Sequence, residues 1–353
     1  MIATDITHAI YKSYEQEFNG EFRPHLGASM GGDPCLRKLW YSFRNTKMVN
    51  FEGRMLKLFQ RGHREEFMFI DDLKRAGIHI TNEDENGNQF RLGSQENKHV
   101  SGSSDGFGEC QVDTLPSLKK GEWLLVEMKT HGERSFKKLE KEGLVSSKPL
   151  HYSQMQLYMK WSQLTKALYI AVNKNTDHIH IELIDFDSEH ADSTEQRMIS
   201  VVESEASPPK LHHDPSRFEC KYCDFSDVCH TKKYKLQVNC RTCLFAKTQA
   251  DGTWLCRKNA NVLQDTKPCE QHLFSPSFLD SVKEGQYAPN EDTIMYKLPN
   301  GLEIGNGASD PENNIYSSHE LSAIIEGGID IYGEGFKLIE KSFNGKVVIG
   351  GEK

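Results

Sequence analysis

The sequence predicts an α/β fold with a central mixed sheet flanked by helices, and three patterns carry this prediction. Apolar residues recur at helical spacing from Met55 to Leu73, which is typical of a long amphipathic helix. The stretch 122–130 has the composition of a buried strand. The run 167–172 is apolar throughout and the run 178–183 alternates, as expected for a central strand and a half-exposed one.

The 353 residues are long enough for more than one domain. Seven of the nine cysteines fall between 218 and 272, where apolar residues are sparse, so we expect bound ligands rather than a core to hold that part. Beyond 276 the chain is rich in Gly and Asn, with short β-like runs such as Lys346–Ile349. The predicted segments are an N-terminal helical region at 1–53, a core at 54–209, a first cysteine segment at 210–236, a second cysteine module at 237–275 and a small β-rich region at 276–353.

Composition and charge limit the classes of function. The chain has 27% charged and 37% hydrophobic residues, no apolar run of membrane-spanning length and no N-terminal pattern typical of a secretory signal. We therefore expect a cytoplasmic protein without a membrane partner. The net charge of −8 argues against nonspecific coating of nucleic acid. Two basic pairs, Arg37-Lys38 and Lys137-Lys138, are candidates for local contacts with DNA phosphates, although solvated faces explain single pairs equally well.

The predicted strand at 122–130 carries two opposite charges on one face. Side chains alternate across a strand, so Glu127 and Lys129 share a side while Val126 and Met128 face the other. Burying two charges is costly unless they have partners or a function. Taken alone, the pair also fits the solvated face of an edge strand.

Three other elements supply acidic or polar side chains. Glu66 falls among the apolar positions of the helix predicted over 54–76, and a small-residue strand in the stretch 100–108 is predicted to end at Asp105-Gly106. Gln154 and Tyr158 are one turn apart on a further predicted helix. Oxygen ligands that converge from several elements are what a Mg²⁺ or Mn²⁺ site requires.

These motifs, in this order, resemble the RecB-like branch of the PD-(D/E)XK nuclease superfamily. The family motifs Gly-X3-His/Glu, Asp-Gly, Glu-X-Lys and Gln-X3-Tyr match Gly62 to Glu66, Asp105-Gly106, Glu127 to Lys129 and Gln154 to Tyr158. The resemblance spans roughly residues 55–160 and implies a restriction-endonuclease-like core. It also implies Mg²⁺ or Mn²⁺ ligands at Glu66, Asp105 and Glu127, and catalytic roles for Asp105, Glu127, Lys129, Gln154 and Tyr158. Many members have His where this chain has Glu66, and His63 is the weaker alternative because it is out of register.

The first cysteine set combines Cys35, ahead of the core, with the run from Cys220 to Cys229. Cysteines in a cytosolic protein more often bind metals or catalyse than form disulfides. This layout resembles the iron–sulfur RecB-like nucleases, which include the CRISPR-associated exonucleases and the nuclease domain of AddAB helicase–nucleases. The resemblance implies a substrate of single-stranded DNA or DNA ends and a [4Fe–4S] cluster, whose ligands would be Cys35, Cys220, Cys223 and Cys229. The alternative is that Cys35 is an ordinary buried thiol.

The second cysteine set follows directly and has the spacing of a zinc ribbon. We expect a structural Zn²⁺ with His272 as an alternative ligand, although the spacing also permits a second cluster. Cys110 is left over and is expected to be a plain thiol. The predicted zinc ligands are Cys240, Cys243, Cys256 and Cys269.

Together the motifs predict a metal-dependent DNA nuclease that hydrolyses phosphodiester bonds, and an exonuclease is favoured over an endonuclease. The resemblance suggests a phage protein that acts in the host cytoplasm in recombination, replication or DNA processing, with a partner protein from that machinery. The alternative function is a DNA-binding or partner-recruiting module with a vestigial nuclease core, against which the intact Asp105, Glu127 and Lys129 argue. A thiol redox enzyme fits poorly, because neither CxxC pair is placed at the start of a helix that follows a strand.

Overall fold

The computed structural model describes residues 3–18, 20, 22–231, 234–279, 284–287, 292–297 and 303–326. The chain divides into two compact units, of which unit 1 comprises Met1–Asp33 and Asn50–Ser200, and unit 2 comprises Pro34–Val49 and Val201–Lys353. The β-like run predicted at Lys346–Ile349 lies outside the described residues. No helix in the described ranges is both long and apolar enough to cross a membrane.

The α-helices in chain order are α1 (Thr4–Glu17), α2 (Leu36–Phe43), α3 (Gly53–Arg75), α4 (Glu133–Ser147), α5 (Pro149–Ser162), α6 (Ser188–Glu203), α7 (Phe218–Lys221), α8 (Ser226–His230) and α9 (Ser318–Glu326). The strands in unit 1 are β1 (Leu26–Gly27), β2 (Ile78–Thr81), β3 (Arg91–Gly93), β4 (Val100–Ser103), β5 (Gly106–Cys110), β6 (Trp123–His131), β7 (Lys166–Asn173) and β8 (Ile179–Asp185). The strands in unit 2 are β9 (Ala246–Thr248), β10 (Trp254–Cys256), β11 (Asn261–Leu263), β12 (Glu284–Tyr287), β13 (Ile294–Lys297), β14 (Glu303–Asn306) and β15 (Ile315–Tyr316).

Unit 1 is built on a five-stranded sheet with the order β2-β5-β6-β7-β8. The β6–β7 pair is parallel and the other three pairs are antiparallel, so the sheet is mixed. Helices α3, α4 and α5 pack against it. The predicted α/β fold with a mixed sheet and flanking helices is therefore confirmed, and it is consistent with a restriction-endonuclease-like core.

The small-residue strand predicted to end at Asp105-Gly106 corresponds to β4, which ends at Ser103, and the chain then changes sheets. Strand β4 belongs to a three-stranded sheet with the order β1-β4-β3, whereas β5 belongs to the five-stranded sheet. The residue that follows Asp105, Gly106, has a φ of 147°, a conformation that side-chain-bearing residues rarely adopt, and a Cβ there would lie 2.9 Å from the Thr81 carbonyl oxygen. The turn therefore requires glycine, and it leaves Asp105 between the two sheets.

The helices that carry predicted site residues lie close to their predicted positions. Helix α3 spans nearly the predicted range 54–76, and Gly77, with a φ of 89°, follows its C-cap residue Ala76. Helix α5 begins earlier than Tyr152 because Pro149 occupies its first turn, where the missing N–H costs little. Both helices present their motif residues from regular backbone.

Unit 2 has an aromatic core that the sequence did not predict. The ring of Trp40 stacks on Phe278 with a centroid distance of 4.6 Å, and the ring of Phe43 stacks on Trp254 at 5.2 Å. Helix α2 thus supplies apolar surface to the cysteine-rich part of the chain, and the expectation that only bound ligands hold that part is corrected. The unit also contains an antiparallel sheet ordered β11-β10-β9 and a four-stranded sheet ordered β12-β13-β14-β15.

Candidate active site

Glu127 and Lys129 lie at the centre of unit 1, on the middle strand of the five-stranded sheet. Strand β6 is hydrogen-bonded to β5 on one side and to β7 on the other, so it is not an edge strand. The side chain of Glu127 has no exposed surface, and its Oε1 forms an ion pair with the Lys129 ammonium. The alternative of a solvated face on an edge strand is therefore wrong.

Asp105 completes this ion-pair network from the junction between β4 and β5. Its Oδ2 accepts a hydrogen bond from the Met128 backbone N–H at 2.8 Å and lies 3.3 Å from Lys129 Nζ. The Lys129 ammonium also donates to the Met128 carbonyl oxygen at 3.0 Å. Two carboxylates thus share one ammonium, and a backbone amide of β6 fixes the position of Asp105.

Burial and mutual charge set the protonation of these groups. Burial raises the pKa of Glu127 to about 7, because desolvation disfavours the carboxylate more than the nearby Lys129 ammonium favours it. Burial acts to lower the pKa of Lys129, but the carboxylates of Glu127 and Asp105 outweigh that effect and raise it. Lys129 is accordingly a fixed positive charge at neutral pH.

Glu66 approaches the same region from α3. It lines an open groove together with Lys129, and its side chain is 32% exposed. Burial, followed by the neighbouring Asp105 carboxylate, raises the pKa of Glu66. His63 lies one turn earlier on the helix, with its Nδ1 3.5 Å from Glu66 Oε1, and its side chain is 73% exposed. The structure therefore brings Glu66 towards the ion-pair network and leaves His63 at the solvent side.

Gln154 and Tyr158 both lie on the buried face of α5. The Gln154 amide donates to Glu127 Oε2 at 3.4 Å, and the Tyr158 hydroxyl donates to the Ser103 carbonyl oxygen at 2.8 Å. Burial raises the pKa of Tyr158, so its phenol remains protonated. A Cβ at Gly102 would lie 2.4 Å from the Tyr158 hydroxyl oxygen, so this helix contacts β4 only because residue 102 is glycine. These contacts suit residues that hold the carboxylates in place.

The oxygen atoms of this site match the chemistry that a divalent cation prefers. Glu127 Oε1 is buried and, although it pairs with Lys129, no aligned hydrogen-bond donor satisfies it. Such an oxygen is available to a hard cation together with Asp105 and Glu66. Within the described part of the chain, however, no three His, Cys, Asp or Glu side chains are arranged as a ready ligand shell.

The same sheet carries a second polar network, which was not predicted from the sequence. The Tyr169 hydroxyl lies 2.8 Å from His131 Nε2 and 3.1 Å from His151 Nδ1. Burial, followed by nearby lysines, lowers the pKa of His131 to about 4 and that of His151 to about 3, so both rings are neutral at neutral pH. One feature of the sequence could have indicated this network: His131 falls two residues after Lys129 and therefore shares its face of β6.

The first cysteine set converges within unit 2. Cys35 precedes α2, and Cys220 to Cys229 lie on and around α7 and α8, yet all four thiols line one cavity. Burial raises the pKa of Cys223 to about 11, and nearby Lys38 opposes this shift. Lys210 and Arg37 likewise oppose the increase that burial causes in the pKa of Cys229. Four thiols and nearby cations match the donor chemistry of an anionic metal–thiolate site.

The second cysteine set lines a separate cavity, around the small sheet formed by β9, β10 and β11. Burial and the three neighbouring cysteines raise the pKa of Cys240 to about 12. His272 also borders this cavity, but its Nε2 lies 2.9 Å from the Asn239 carbonyl oxygen and its Nδ1 lies 2.8 Å from Ser318 Oγ. Cys110 is a buried thiol in the apolar core of unit 1. The four cysteines at this cavity are Cys240, Cys243, Cys256 and Cys269.

The four basic residues predicted to contact DNA differ in their exposure and in their partners. Arg37 is 7% exposed and donates to the Pro208 carbonyl oxygen at 2.6 Å, so its burial contradicts a role as a surface cation for DNA. Lys38 borders the first cysteine cavity. Lys137 and Lys138 are exposed on α4 and form ion pairs within that helix, at 2.6 Å and 3.7 Å.

The family comparison agrees with these motifs. Residues 80–230 match the family model described as the PD-(D/E)XK nuclease superfamily. The matched region includes Asp105, Glu127 and Lys129 and extends past Cys229, whereas Glu66 and Cys35 precede it. No curated protein matches the chain at a significant level.

Among solved structures the likenesses are distant. The crystal structure of SSO0001 aligns with a TM-score of 0.38 and 15% identity, covering 65% of this chain and 98% of that one. An alkaline exonuclease (LHK-Exo) from Laribacter hongkongensis aligns with a TM-score of 0.36 and 15% identity, covering 54% and 90%. A phage related exonuclease from Haemophilus somnus 129PT aligns with a TM-score of 0.33 and 18% identity, covering 47% and 77%. Scores this low establish no shared activity.

Proposed function

We propose that this chain is a Mg²⁺- or Mn²⁺-dependent deoxyribonuclease that acts as an exonuclease on single-stranded DNA or DNA ends. The observation that carries the proposal is the ion-pair network that joins the buried Glu127 and the half-buried Lys129 of the central strand to Asp105, beside an open groove. A carboxylate pair next to a permanent ammonium is suited to phosphodiester hydrolysis. The intact network also argues against a vestigial core.

Each residue has a proposed role. Asp105, Glu127 and Glu66 would hold the divalent cation, which, when bound, polarises the scissile phosphate and lowers the pKa of a bound water. Lys129 would orient the attacking water and offset negative charge that develops on the phosphate. Gln154 would hold the Glu127 carboxylate, and Tyr158 would hold α5 against β4, so both act as positioning residues.

Two further metals belong to the proposal. Cys35, Cys220, Cys223 and Cys229 would hold a [4Fe–4S] cluster, which the shared cavity and the neighbouring Arg37, Lys38 and Lys210 support. Cys240, Cys243, Cys256 and Cys269 would hold a structural Zn²⁺. These four thiols are favoured over His272 because both ring nitrogens of that histidine already have partners. From the family resemblance we also propose that the protein acts in phage recombination, replication or DNA processing, together with a partner protein of that machinery.

The test is a cleavage assay with Mn²⁺ on end-labelled linear and on circular DNA, each single- and double-stranded. The wild-type protein is expected to shorten linear single strands and to leave circles intact, because an exonuclease needs an end. Glu127→Gln and Lys129→Met should each lower the rate roughly 10²- to 10³-fold, the range measured when one group that stabilises transition-state charge is removed.

A matched pair of variants tests the role of α3. Glu66→Gln should slow cleavage, whereas Glu65→Gln should not, because Glu65 is engaged with Arg61 at 3.4 Å. Cleavage of circular DNA would show that the protein is an endonuclease and not an exonuclease. If the wild-type protein binds DNA and leaves every substrate intact, the nuclease hypothesis fails and the DNA-binding module is the better description.

A further inference from the structure

An open groove of about 710 Å³ runs beside the candidate active site in unit 1. Glu66 and Lys129 form part of its wall, so the groove is continuous with the ion-pair network. Its lining also includes Arg23, the buried Phe69 and three further phenylalanines, Phe18, Phe51 and Phe59. Cleavage chemistry itself does not require aromatic surface at this position.

The three phenylalanines form one cluster that keeps ring surface exposed. Phe51 contacts Phe18 edge-to-face at a centroid distance of 5.7 Å and Phe59 at 5.1 Å. Phe18 remains 37% exposed and Phe59 42% exposed. Aromatic surface left in water is unfavourable, and a contiguous patch of it commonly marks a binding site. The cluster therefore holds its own shape and presents ring surface to the groove.

Gly62 keeps the groove wide. It lies on α3 between Phe59 and Glu66, at spacings that place the three residues on one face of the helix. Glycine inside a helix costs up to about 1 kcal/mol relative to alanine. A Cβ at this position would meet no described atom within 4 Å, so packing does not require glycine here. Its absent side chain instead leaves space beside Phe59.

We propose that this groove receives the unpaired bases of a single DNA strand next to the bond to be cut, a proposal that rests on the nuclease function above. A base has a flat apolar face that stacks on an aromatic ring, and such stacking is worth about 1–3 kcal/mol per base. Bases inside a duplex are already stacked and cannot reach these rings. Arg23 and Lys129 supply positive charge for the phosphates of the same strand. The groove thus selects single-stranded or frayed DNA.

The test measures binding without cleavage, in EDTA, by fluorescence anisotropy of a labelled oligothymidylate and of a blunt duplex. The wild-type protein should bind the single strand more tightly than the duplex. Phe59→Ala should weaken single-strand binding about 5- to 150-fold, the equivalent of one lost stack, and leave duplex binding unchanged. Gly62→Leu should weaken single-strand binding too, because its side chain would extend into the groove from a position where a Cβ meets no described atom within 4 Å.

Phe67→Ala is the matched control, because Phe67 is 70% exposed on the same helix and does not line the groove. It should bind single-stranded DNA as wild type does. An oligonucleotide with 2-aminopurine near its end adds a direct signal, since stacking quenches its fluorescence. Quenching is expected with wild type and Phe67→Ala and should be lost in Phe59→Ala, with melting temperatures confirming that all variants are folded.

The outcomes separate this inference from the proposed function. If Phe59→Ala and Gly62→Leu bind single-stranded DNA like wild type, or if Phe67→Ala is equally impaired, the groove is not the base-binding site even when the protein cleaves DNA. If wild type shows no preference for the single strand, the inference also fails. If the binding and quenching results hold and wild type still cuts no DNA, the nuclease function fails while the groove assignment stands.

Discussion

At the Lys129 site, the buried Glu127 and the partly exposed Asp105 face an ammonium that the chain itself supplies, whereas the first cysteine set gathers four thiols around a cavity. Ion pairing holds Lys129 charged. Burial instead raises the pKa of thiols such as Cys223, so without a ligand they remain neutral. The polypeptide alone can assemble the first arrangement, whereas the proposed metal would stabilise the second by deprotonating and connecting the thiols.

The largest expected effect comes from removing the Lys129 ammonium, because both stability and cleavage are expected to fall. Lys129→Met leaves Glu127 and Asp105 without their shared partner. Loss of one member of a fully buried pair costs about 3–5 kcal/mol, and the partial exposure of Lys129 and Asp105 places the expected loss at the lower end of that range. Urea denaturation should show this loss in the free energy of unfolding. The double variant Glu127→Gln/Lys129→Met should recover part of it, because the buried charge is removed as well.

Lys137→Met serves as the control for that prediction. The Lys137 ammonium is exposed and pairs with Glu133 on the same helix, so its removal should leave the free energy of unfolding unchanged. A Lys129→Met protein as stable as wild type would show that the ion pair does not hold the site together.

The next largest effect is on stability and is expected from the first cysteine set. Cys35 and Cys220 are far apart in sequence, so a cluster that joins them closes a long loop, whereas Cys240 to Cys269 form a local set. Cys35→Ser should remove iron and the visible absorbance near ~400 nm and lower the free energy of unfolding by roughly 3–5 kcal/mol, the order expected when a loop of this size opens. Zinc content should stay constant.

Cys269→Ser should give the reverse pattern, with zinc lost and iron retained. Elemental analysis of both variants and of wild type measures this directly. A wild-type protein purified anaerobically with neither metal would overturn both sites, and joint loss of both metals in either variant would show that the two sets form one site.

The smallest expected effect is a dependence of stability on pH that comes from the His131–Tyr169–His151 network. The folded pKa of His131 is about 4, below the unfolded value of about 6.5, so the unfolded chain takes up protons first as the pH falls. Stability is therefore complete above pH 6.5 and declines towards pH 4. Allowing for solvent screening, we expect a loss of roughly 1–2 kcal/mol between about pH 6.5 and 4.5.

His131→Gln keeps a hydrogen-bonding side chain that does not titrate, so its urea unfolding should depend less steeply on pH than that of wild type. Metal content measured on the same samples separates this effect from acid release of metal by the cysteines. Identical slopes in the two proteins would contradict the role assigned to His131.

Patterns confined to one element were predictable from sequence, and contacts between elements were not. The helix of α3 and the buried strand with Glu127 and Lys129 follow from local periodicity, and the motif residues predicted to meet do lie near one another. The change of sheet at Asp105 depends on a positive φ and on a carbonyl of β2, which no local pattern encodes.

The other features that were not predicted from the sequence depend on contacts between elements that are distant in the chain. The two histidines around Tyr169 come from different elements, and only the packing of α5 on β7 brings them together. The aromatic core of unit 2 was missed because α2 is distant in sequence from the cysteine-rich part that it packs against. Burial likewise removes Arg37 from the surface, which a basic pair in sequence does not indicate.

The passage of the chain from β4 to β5 through Asp105 has a consequence for protein engineering. Asp84 organises the exposed turn at 84–88, accepting backbone hydrogen bonds from Asn86 and Asn88, and a turn of this kind should accommodate an inserted peptide or a chain break. Around Asp105 the neighbouring strands belong to separate sheets, so one added residue would shift a carboxylate of the candidate active site and the register of β5 together. A split version of this protein should therefore be cut at 84–88, with Asp105 and both of its flanking strands kept on one fragment.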